Sequence, residues 1–229
     1  MKTPLNSLQL LTSSILRGAA GRALDPEKLI ARTTRLDGQL QRLTGLVNDL
    51  LDVSRRSAGR LRVEYSDLDL ERSVHDMAER LKPNLLAAKC ELTMRIEGPL
   101  AGRWDRLRVD RVISNLLTNA LKYGAGKPIE LGARQEAGVA ILSVRDHGIG
   151  IALADHQRIS ERFARAVSAE HYGGFGLGLW IAKQFAEAMG GTITVESAPG
   201  EGACFTVRLP MQPLVEPLPS EPAAIAAQP

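Results

Sequence analysis

Aromatic residues are scarce in this sequence: four Phe, three Tyr and two Trp in 229 residues. Its core must therefore rest on Leu, Ile, Val and Ala, within a hydrophobic fraction of 44% that suffices for one or two compact domains. Cysteine is nearly absent. Cys90 and Cys204 lie far apart with no Cys-x-x-Cys spacing. That argues against a disulfide scaffold or a thiolate zinc site, fits a reducing compartment, and leaves two core thiols in strand-like surroundings. Long apolar runs are missing too. No stretch approaches a membrane span and no signal peptide is present, so this segment is expected to be cytoplasmic, whatever anchors a longer parent. Nor does charge of one sign accumulate. Lys and Arg total 29 against 26 Asp and Glu. The Arg-rich runs, Arg55-Arg56 and Arg103 to Arg111, are interleaved with acids and apolar residues. A solvated face is expected there rather than a nucleic-acid surface.

Three regions are present. Residues 1–58 have the pattern of a helical hairpin. Leu5, Leu8, Leu11 and Ile15 recur at helical spacing, Gly18 to Gly21 breaks it, and Asp25-Pro26-Glu27 starts a second helix. That helix carries a heptad seam through Leu29, Thr33, Leu36, Leu40, Leu43, Val47, Leu50 and Ser54, widened by Leu46, Leu51 and Val53. Two helices alone cannot bury so wide a stripe, so a homodimer with a four-helix bundle is expected, against an intramolecular helical domain as the alternative. The helices are unequal, roughly 48 Å against roughly 21 Å at 1.5 Å per residue. The first is therefore expected to begin upstream of Met1 in a longer parent.

Residues 61–211 alternate strands (61–65, 91–96, 129–134, 139–146, 192–197, 203–209) with helices (69–88, 105–123, 152–164, 177–189). Short turns at Glu136-Ala137-Gly138 and at Pro199 to Gly202 imply partly antiparallel pairing. The expected class is α+β: the hairpin, then an α/β sandwich of a mixed sheet covered by helices. Residues 212–229, with five prolines and no periodicity, are expected to be a disordered tail.

Four segments of the middle region can carry chemistry. Asn115 and Asn119 are four apart on one helix, so their carboxamides share a face, with Lys122 beside them. Amide oxygens suit a hard cation and an ammonium suits phosphate, although polar residues on an amphipathic helix need no ligand. Asp146-His147-Gly148-Ile149-Gly150 ends an apolar strand in a carboxylate and two spaced glycines, which either pack on a flat ligand or merely turn the chain. Ser160-Glu161-Arg162-Phe163 opens a polar stretch running to Tyr172. Gly173-Gly174-Phe175-Gly176-Leu177-Gly178-Leu179 then opens a helix, where backbone amides can meet an anion.

The order of the four resembles the N, G1, F and G2 boxes of the histidine-kinase ATP-binding domain, of the Bergerat fold shared with gyrase, Hsp90 and MutL. Gly102-Arg103-Trp104-Asp105, Lys122-Tyr123-Gly124 and Glu196 to Gly202 resemble kinase sequence as well. The resemblance covers about residues 61–210. It implies ATP and Mg2+ as ligands. Asn115 and Asn119 would hold the magnesium, Lys122 would meet phosphate and Tyr123 would lie along the nucleoside. Asp146 would read the adenine amino group, with Gly148 and Gly150 letting the chain pass the base. Residues 164–173 would form a lid anchored by Phe163, with Gly174, Gly176 and Gly178 as hinge and phosphate turn. Either Arg162 or Arg165 would reach the γ-phosphate, or both are solvated. ATP-hydrolysing relatives carry a glutamate where Asn115 stands, so phosphoryl transfer is implied rather than hydrolysis.

Thr3-Pro4-Leu5 resembles the end of the family's His-Glu-x-x-Thr-Pro-Leu phosphoacceptor motif. The histidine would fall before residue 1, and Thr3 would stand at the position that orients water for dephosphorylating a response regulator receiver domain, the implied partner. His75, His147, His156 and His171 all lie in the middle region and cannot replace it. Two expectations follow: a chain that starts inside a longer kinase, or a natural fragment that dimerises and binds ATP without labelling itself.

Overall fold

The computed structural model describes residues 12–13, 27, 29–31, 33–34, 36–37, 40, 63–164 and 176–213. The chain divides into two units, residues 1–61 and 62–229. In the first, every described residue is helical. Thr33 and Thr34 return their hydroxyls to the carbonyls of Leu29 and Ile30, four residues back. Of the seam, Leu29 and Leu36 are half-buried, whereas Thr33 and Leu40 are exposed. Thr3, the first helix's apolar positions, the seam beyond Leu40 and residues 214–229 lie outside the described residues.

The second unit runs β1 (Ser66–Asp69), α1 (Leu70–Ala88), β2 (Leu92–Glu97), β3 (Ala101–Trp104), α2 (Arg106–Tyr123), β4 (Ile129–Glu136), β5 (Val139–Asp146), α3 (Gly178–Ala188), β6 (Thr192–Ser197) and β7 (Ala203–Pro210). Five strands form one mixed sheet in the order β2-β4-β5-β7-β6, in which only β2 and β4 run parallel. β1 and β3 make a separate antiparallel ribbon. The helices pack with α2 between α1 and α3, α2 lying on β5 and α3 on β6 and β7. The domain is an α+β sandwich of a mixed sheet covered by helices.

Period-two alternation selects the covered face. Ile129, Leu131 and Ala133 of β4, Ala140, Leu142 and Val144 of β5, and Phe205, Val207 and Leu209 of β7 lie in register and are buried. The helices answer with Val74 and Met77 of α1, Ile113, Leu116, Leu117 and Ala120 of α2, and Ile181, Ala182 and Phe185 of α3. Removing one such leucine side chain would cost about 3 kcal/mol. Both long helices are started by an aspartate. Asp69 accepts from the amides of Glu71 and Arg72, and Asp105 from that of Arg108. Asp105 also receives the amide of Glu64, tying the entering chain to α2. Trp104, fully buried, donates its indole N–H to the Pro210 carbonyl at 2.7 Å and joins the ribbon to the end of the sheet.

Three expectations need correction. The first strand begins at Ser66, and residues 63–65 are irregular, because the pairing partner is β3 and its register reaches only Ser66. β3 itself was not anticipated. The expected helix over 152–164 is two single 3-10 turns, Leu153–Asp155 and Arg158–Ser160. Neither turn has a side-chain cap, and Leu153 and Phe163 stand 81% and 56% exposed, so no apolar stripe pins a helix to the core.

Candidate functional site

The covered row of β5 runs Ala140, Leu142, Val144 and then Asp146, so an apolar stripe ends in a carboxylate only 4% exposed. Its register partners are Ile129 and Ala203. Burial raises the Asp146 carboxyl above the usual range; the backbone amides of Gly148 and Ala203 and the neighbouring His147 and Lys127 act in the opposite direction. The Gly148 amide donates to Oδ1 at 2.8 Å. A carboxylate has about four acceptor positions, so two amides leave capacity for a further N–H donor.

The loop beyond Asp146 is wedged between α2 and the β6–β7 turn. A Cβ on Gly148 would lie 2.0 Å from the Tyr123 carbonyl oxygen. One on Gly150, at φ +67°, would lie 1.9 Å from that of Ala198. Only glycine fits either position. The end of α2 comes up beside the carboxylate, since a Cβ on Gly124 would stand 3.0 Å from the Asp146 Cβ. His147 pairs with Glu130 at 2.7 Å on the outer side.

Along α2, Asn115, Asn119, Lys122 and Tyr123 are all half-buried. The Asn115 side-chain nitrogen is buried with no hydrogen-bond partner among the described residues. Its oxygen lies 3.3 Å from where a Gly178 Cβ would be, so this carboxamide abuts the first turn of α3. Leu177, the residue that should cap α3, offers no side-chain hydrogen bond to its first-turn amides. A carboxamide whose buried nitrogen lacks a partner among the described residues, beside a helix N-terminus without a capping side chain from Leu177, suits an anion at its nitrogen and a hard cation at its oxygen. Among the described residues no group of three or more His, Cys, Asp or Glu could hold a metal, so a cation here would rest on carboxamide, phosphate and water oxygens. Lys122 folds back onto its neighbour, its ammonium 2.8 Å from the Tyr123 hydroxyl and 4.4 Å from the ring centroid.

Gly176, at φ +71°, closes against Phe163 and Ala164: its Cβ would lie 2.5 Å from the Ala164 carbonyl oxygen. The described residues on either side of 165–175, Ala164 and Gly176, therefore meet. Gly174, Arg165 and His171 fall within that segment, outside the described residues. Phe163 takes φ +66°, and its exposed ring stacks with the Arg162 guanidinium at 4.8 Å.

Residues 104–213 match the family described as histidine kinase-, DNA gyrase B-, and HSP90-like ATPase. The alginate biosynthesis sensor protein KinB of Pseudomonas aeruginosa is 33% identical over 213 residues, which are 92% of this chain and 35% of KinB. Residues 104–213 belong to the histidine kinase-, DNA gyrase B- and HSP90-like ATPases. The ATPase domain's fold agrees with solved kinases. Acinetobacter baumannii histidine kinase AdeS superposes with a TM-score of 0.72 at 24% identity, covering 92% of this chain and 96% of that one. Full-length ShkA, solved in complex with AMPPNP, gives 0.70 at 27% identity, covering 94% and 48%. The chain spans about a third of the length of the first curated relatives it matches, at 30% to 40% of each.

Within the ATPase domain, the kinase-like run Glu196 to Gly202 holds one group to which the sequence reading gave no role. Ser197, at the end of β6, holds the loop after Asp146: its hydroxyl accepts from the Ile151 amide at 2.8 Å and donates to the Gly202 carbonyl at 2.6 Å. A small hydroxyl residue closing a strand before Pro-Gly was the available signal.

Proposed function

We propose that residues 63–213 bind Mg-ATP and direct its γ-phosphoryl group to a histidine side chain, for relay to an aspartate on a response regulator receiver domain. The observation that supports this best is Asp146, a carboxylate buried at the end of an apolar strand, which takes the amides of Gly148 and Ala203 and keeps capacity for a further N–H donor. Asp146 accepts the hydrogen bond of the adenine amine, and Gly148 and Gly150 let the base approach. Asn115 and Asn119 hold a magnesium ion, which neutralises phosphate charge. Lys122 leaves Tyr123 to meet the phosphates, Tyr123 lies along the nucleoside, and the amides opening α3 at Gly178 take an anionic oxygen. Gly174 and Gly176 act as hinge and Phe163 as anchor of the segment between.

Asn115 cannot take a proton from water, so hydrolysis has no base at that position. Transfer needs only placement: an imidazole nitrogen attacks the γ-phosphorus, the bond to the bridging oxygen breaks, and ADP leaves. The sequence has no histidine before His75. His75 faces Glu71 on α1, His147 pairs with Glu130, and His156 meets the Ile151 carbonyl. The acceptor in this reading is a histidine on a helical hairpin outside residues 1–229, and the chain binds ATP without labelling itself. Residues 1–58 pair two copies into a four-helix bundle, a reading supported by exposed Ile30 and Leu40 on a helix. No helix among the described residues is long and apolar enough to cross a membrane.

A titration with ATP, with and without magnesium, tests the reading beside a receptor assay in which a histidine-bearing hairpin is supplied in trans. Magnesium-dependent binding and label appearing on the supplied histidine are expected. Binding without transfer to any such hairpin would leave a nucleotide-binding module and remove the kinase reading.

A further inference from the structure

The loop that carries Gly148 and Gly150 has little to hold it from its own neighbourhood. It follows β5, and the next element is only a single 3-10 turn at Leu153. Its anchorage comes from 46 residues away. The Ile151 amide donates to the Ser197 hydroxyl at 2.8 Å, that hydroxyl donates to the Gly202 carbonyl at 2.6 Å, and the Gly200 amide donates to the Ile149 carbonyl at 2.7 Å. The packing is equally close. Gly150 lies under the Ala198 carbonyl, and a Cβ on Gly202 would stand 2.0 Å from the Asp146 carbonyl oxygen. The Ala203 amide turns to the Asp146 carboxyl itself. One face of the Asp146 corner thus depends on residues 197–203, which lie away from the start of α3, and the other rests on the end of α2 at Tyr123 and Gly124.

We infer that Ser197 is a positioning residue for base selection: by clamping Ile151 to the β6–β7 turn, it fixes the Asp146–Gly150 corner in the geometry that distinguishes a 6-aminopurine from other purines. The inference deepens the nucleotide reading and rests on it. Ser197 alone can both accept from Ile151 and donate to Gly202, because a hydroxyl is at once donor and acceptor. Alanine leaves an amide and a carbonyl without partners in a half-buried place, and the corner relaxes toward water. Threonine keeps the hydroxyl and suits a strand end.

The test compares ATP with inosine triphosphate, which carries a carbonyl where ATP carries the amine, using the full chain and its Ser197→Ala and Ser197→Thr variants. In Ser197→Ala, ATP affinity should fall about tenfold while inosine triphosphate affinity stays within about twofold, so that selectivity collapses; Ser197→Thr should restore it. Amide exchange of Ile151 in the nucleotide-free protein should quicken in Ser197→Ala and return in Ser197→Thr. Equal losses for both nucleotides would mark general destabilisation and overturn the inference, as would unchanged ATP affinity in Ser197→Ala. A wild-type chain that binds neither nucleotide would overturn the reading of the site, and a quickened Ile151 exchange in Ser197→Ala would then show the clamp without the selectivity.

Discussion

The two ends of the candidate site are built differently. At the base end, Asp146, Gly148, Gly150 and the β6–β7 turn are interlocked, and the backbone groups there meet protein partners. At the phosphate end, the Asn115 carboxamide has a buried nitrogen without a partner among the described residues, Leu177 gives α3 no side-chain cap, and Lys122 rests on its own neighbour. At the base end the backbone is held by the protein and one carboxylate keeps acceptor capacity, whereas at the other end a buried nitrogen lacks a partner among the described residues. Buried polar groups are normally satisfied, so the difference is informative. In the proposed reading it makes a rigid selector for the base beside a phosphate site whose order depends on what binds.

That contrast is broken most directly at the glycines. Gly150→Ala puts a methyl 1.9 Å from the Ala198 oxygen at a positive φ, and neither backbone can yield cheaply. We expect a stability loss of about 3 kcal/mol or more by denaturant titration, with ATP binding lost by more than about a hundredfold. Retained binding in Gly150→Ala would show that the base end adapts. At the other end, Asn119→Ala should leave the unfolding midpoint nearly unchanged, because the residue is only half-buried, while ATP affinity in magnesium falls on the order of tenfold. In the absence of magnesium, wild type and variant should bind alike. A loss that persists without the metal would assign Asn119 to the nucleotide rather than to a cation.

Much of this was legible in residues. The apolar run Val139 to Val144, followed by Asp146, gave the strand and its polar end, because a short buried strand reads as a nearly continuous apolar stretch closed by turn residues. Asn115, Asn119 and Lys122 fell on one face of a helix whose aspartate cap and apolar stripe are both local signals. What could not be read was held by distant partners. Ser197 acts on Ile151, and no local pattern records that pairing. β3 is four residues with a glycine at its second position, too short to alternate, and exists because β1 and the Trp104–Pro210 bond hold it. The helix expected over 152–164 failed for the converse reason: local spacing was adequate, but no surface covers Leu153.

The base end also carries a pH signature. Because the Asp146 pKa is raised in the fold, the native state binds more protons than the unfolded state between the ordinary carboxylate value and the raised one. The stability it contributes is complete below the unfolded value and is lost as pH rises through the folded one. Asp146→Asn carries no charge to bury. Its unfolding free energy relative to wild type should therefore improve as pH is taken from below the ordinary aspartate range to neutrality. A difference that does not change with pH would mean that the amides of Gly148 and Ala203 already cancel the cost of burial.

The smallest effect is expected where the two ends adjoin. Gly178 opens α3, and an added Cβ would come 3.3 Å from the Asn115 oxygen and 3.7 Å from its carboxamide carbon. That is a tight contact with the end of a side chain rather than with backbone, so a shift of a few tenths of an ångström relieves it. Its φ is not positive, and alanine favours the helix by up to about 1 kcal/mol over glycine in an interior position, less at a first turn. Gly178→Ala should consequently be neutral or slightly stabilising to heat. Yet the displaced carboxamide is the group that lacks a partner, so ATP affinity in magnesium should drop about fivefold with the fold intact. Stability and binding moving in opposite directions in one variant would confirm that the phosphate end is shaped for its ligand at the helix's expense. If both stay unchanged, Asn115 has room to spare and its unpartnered nitrogen carries no information about what binds.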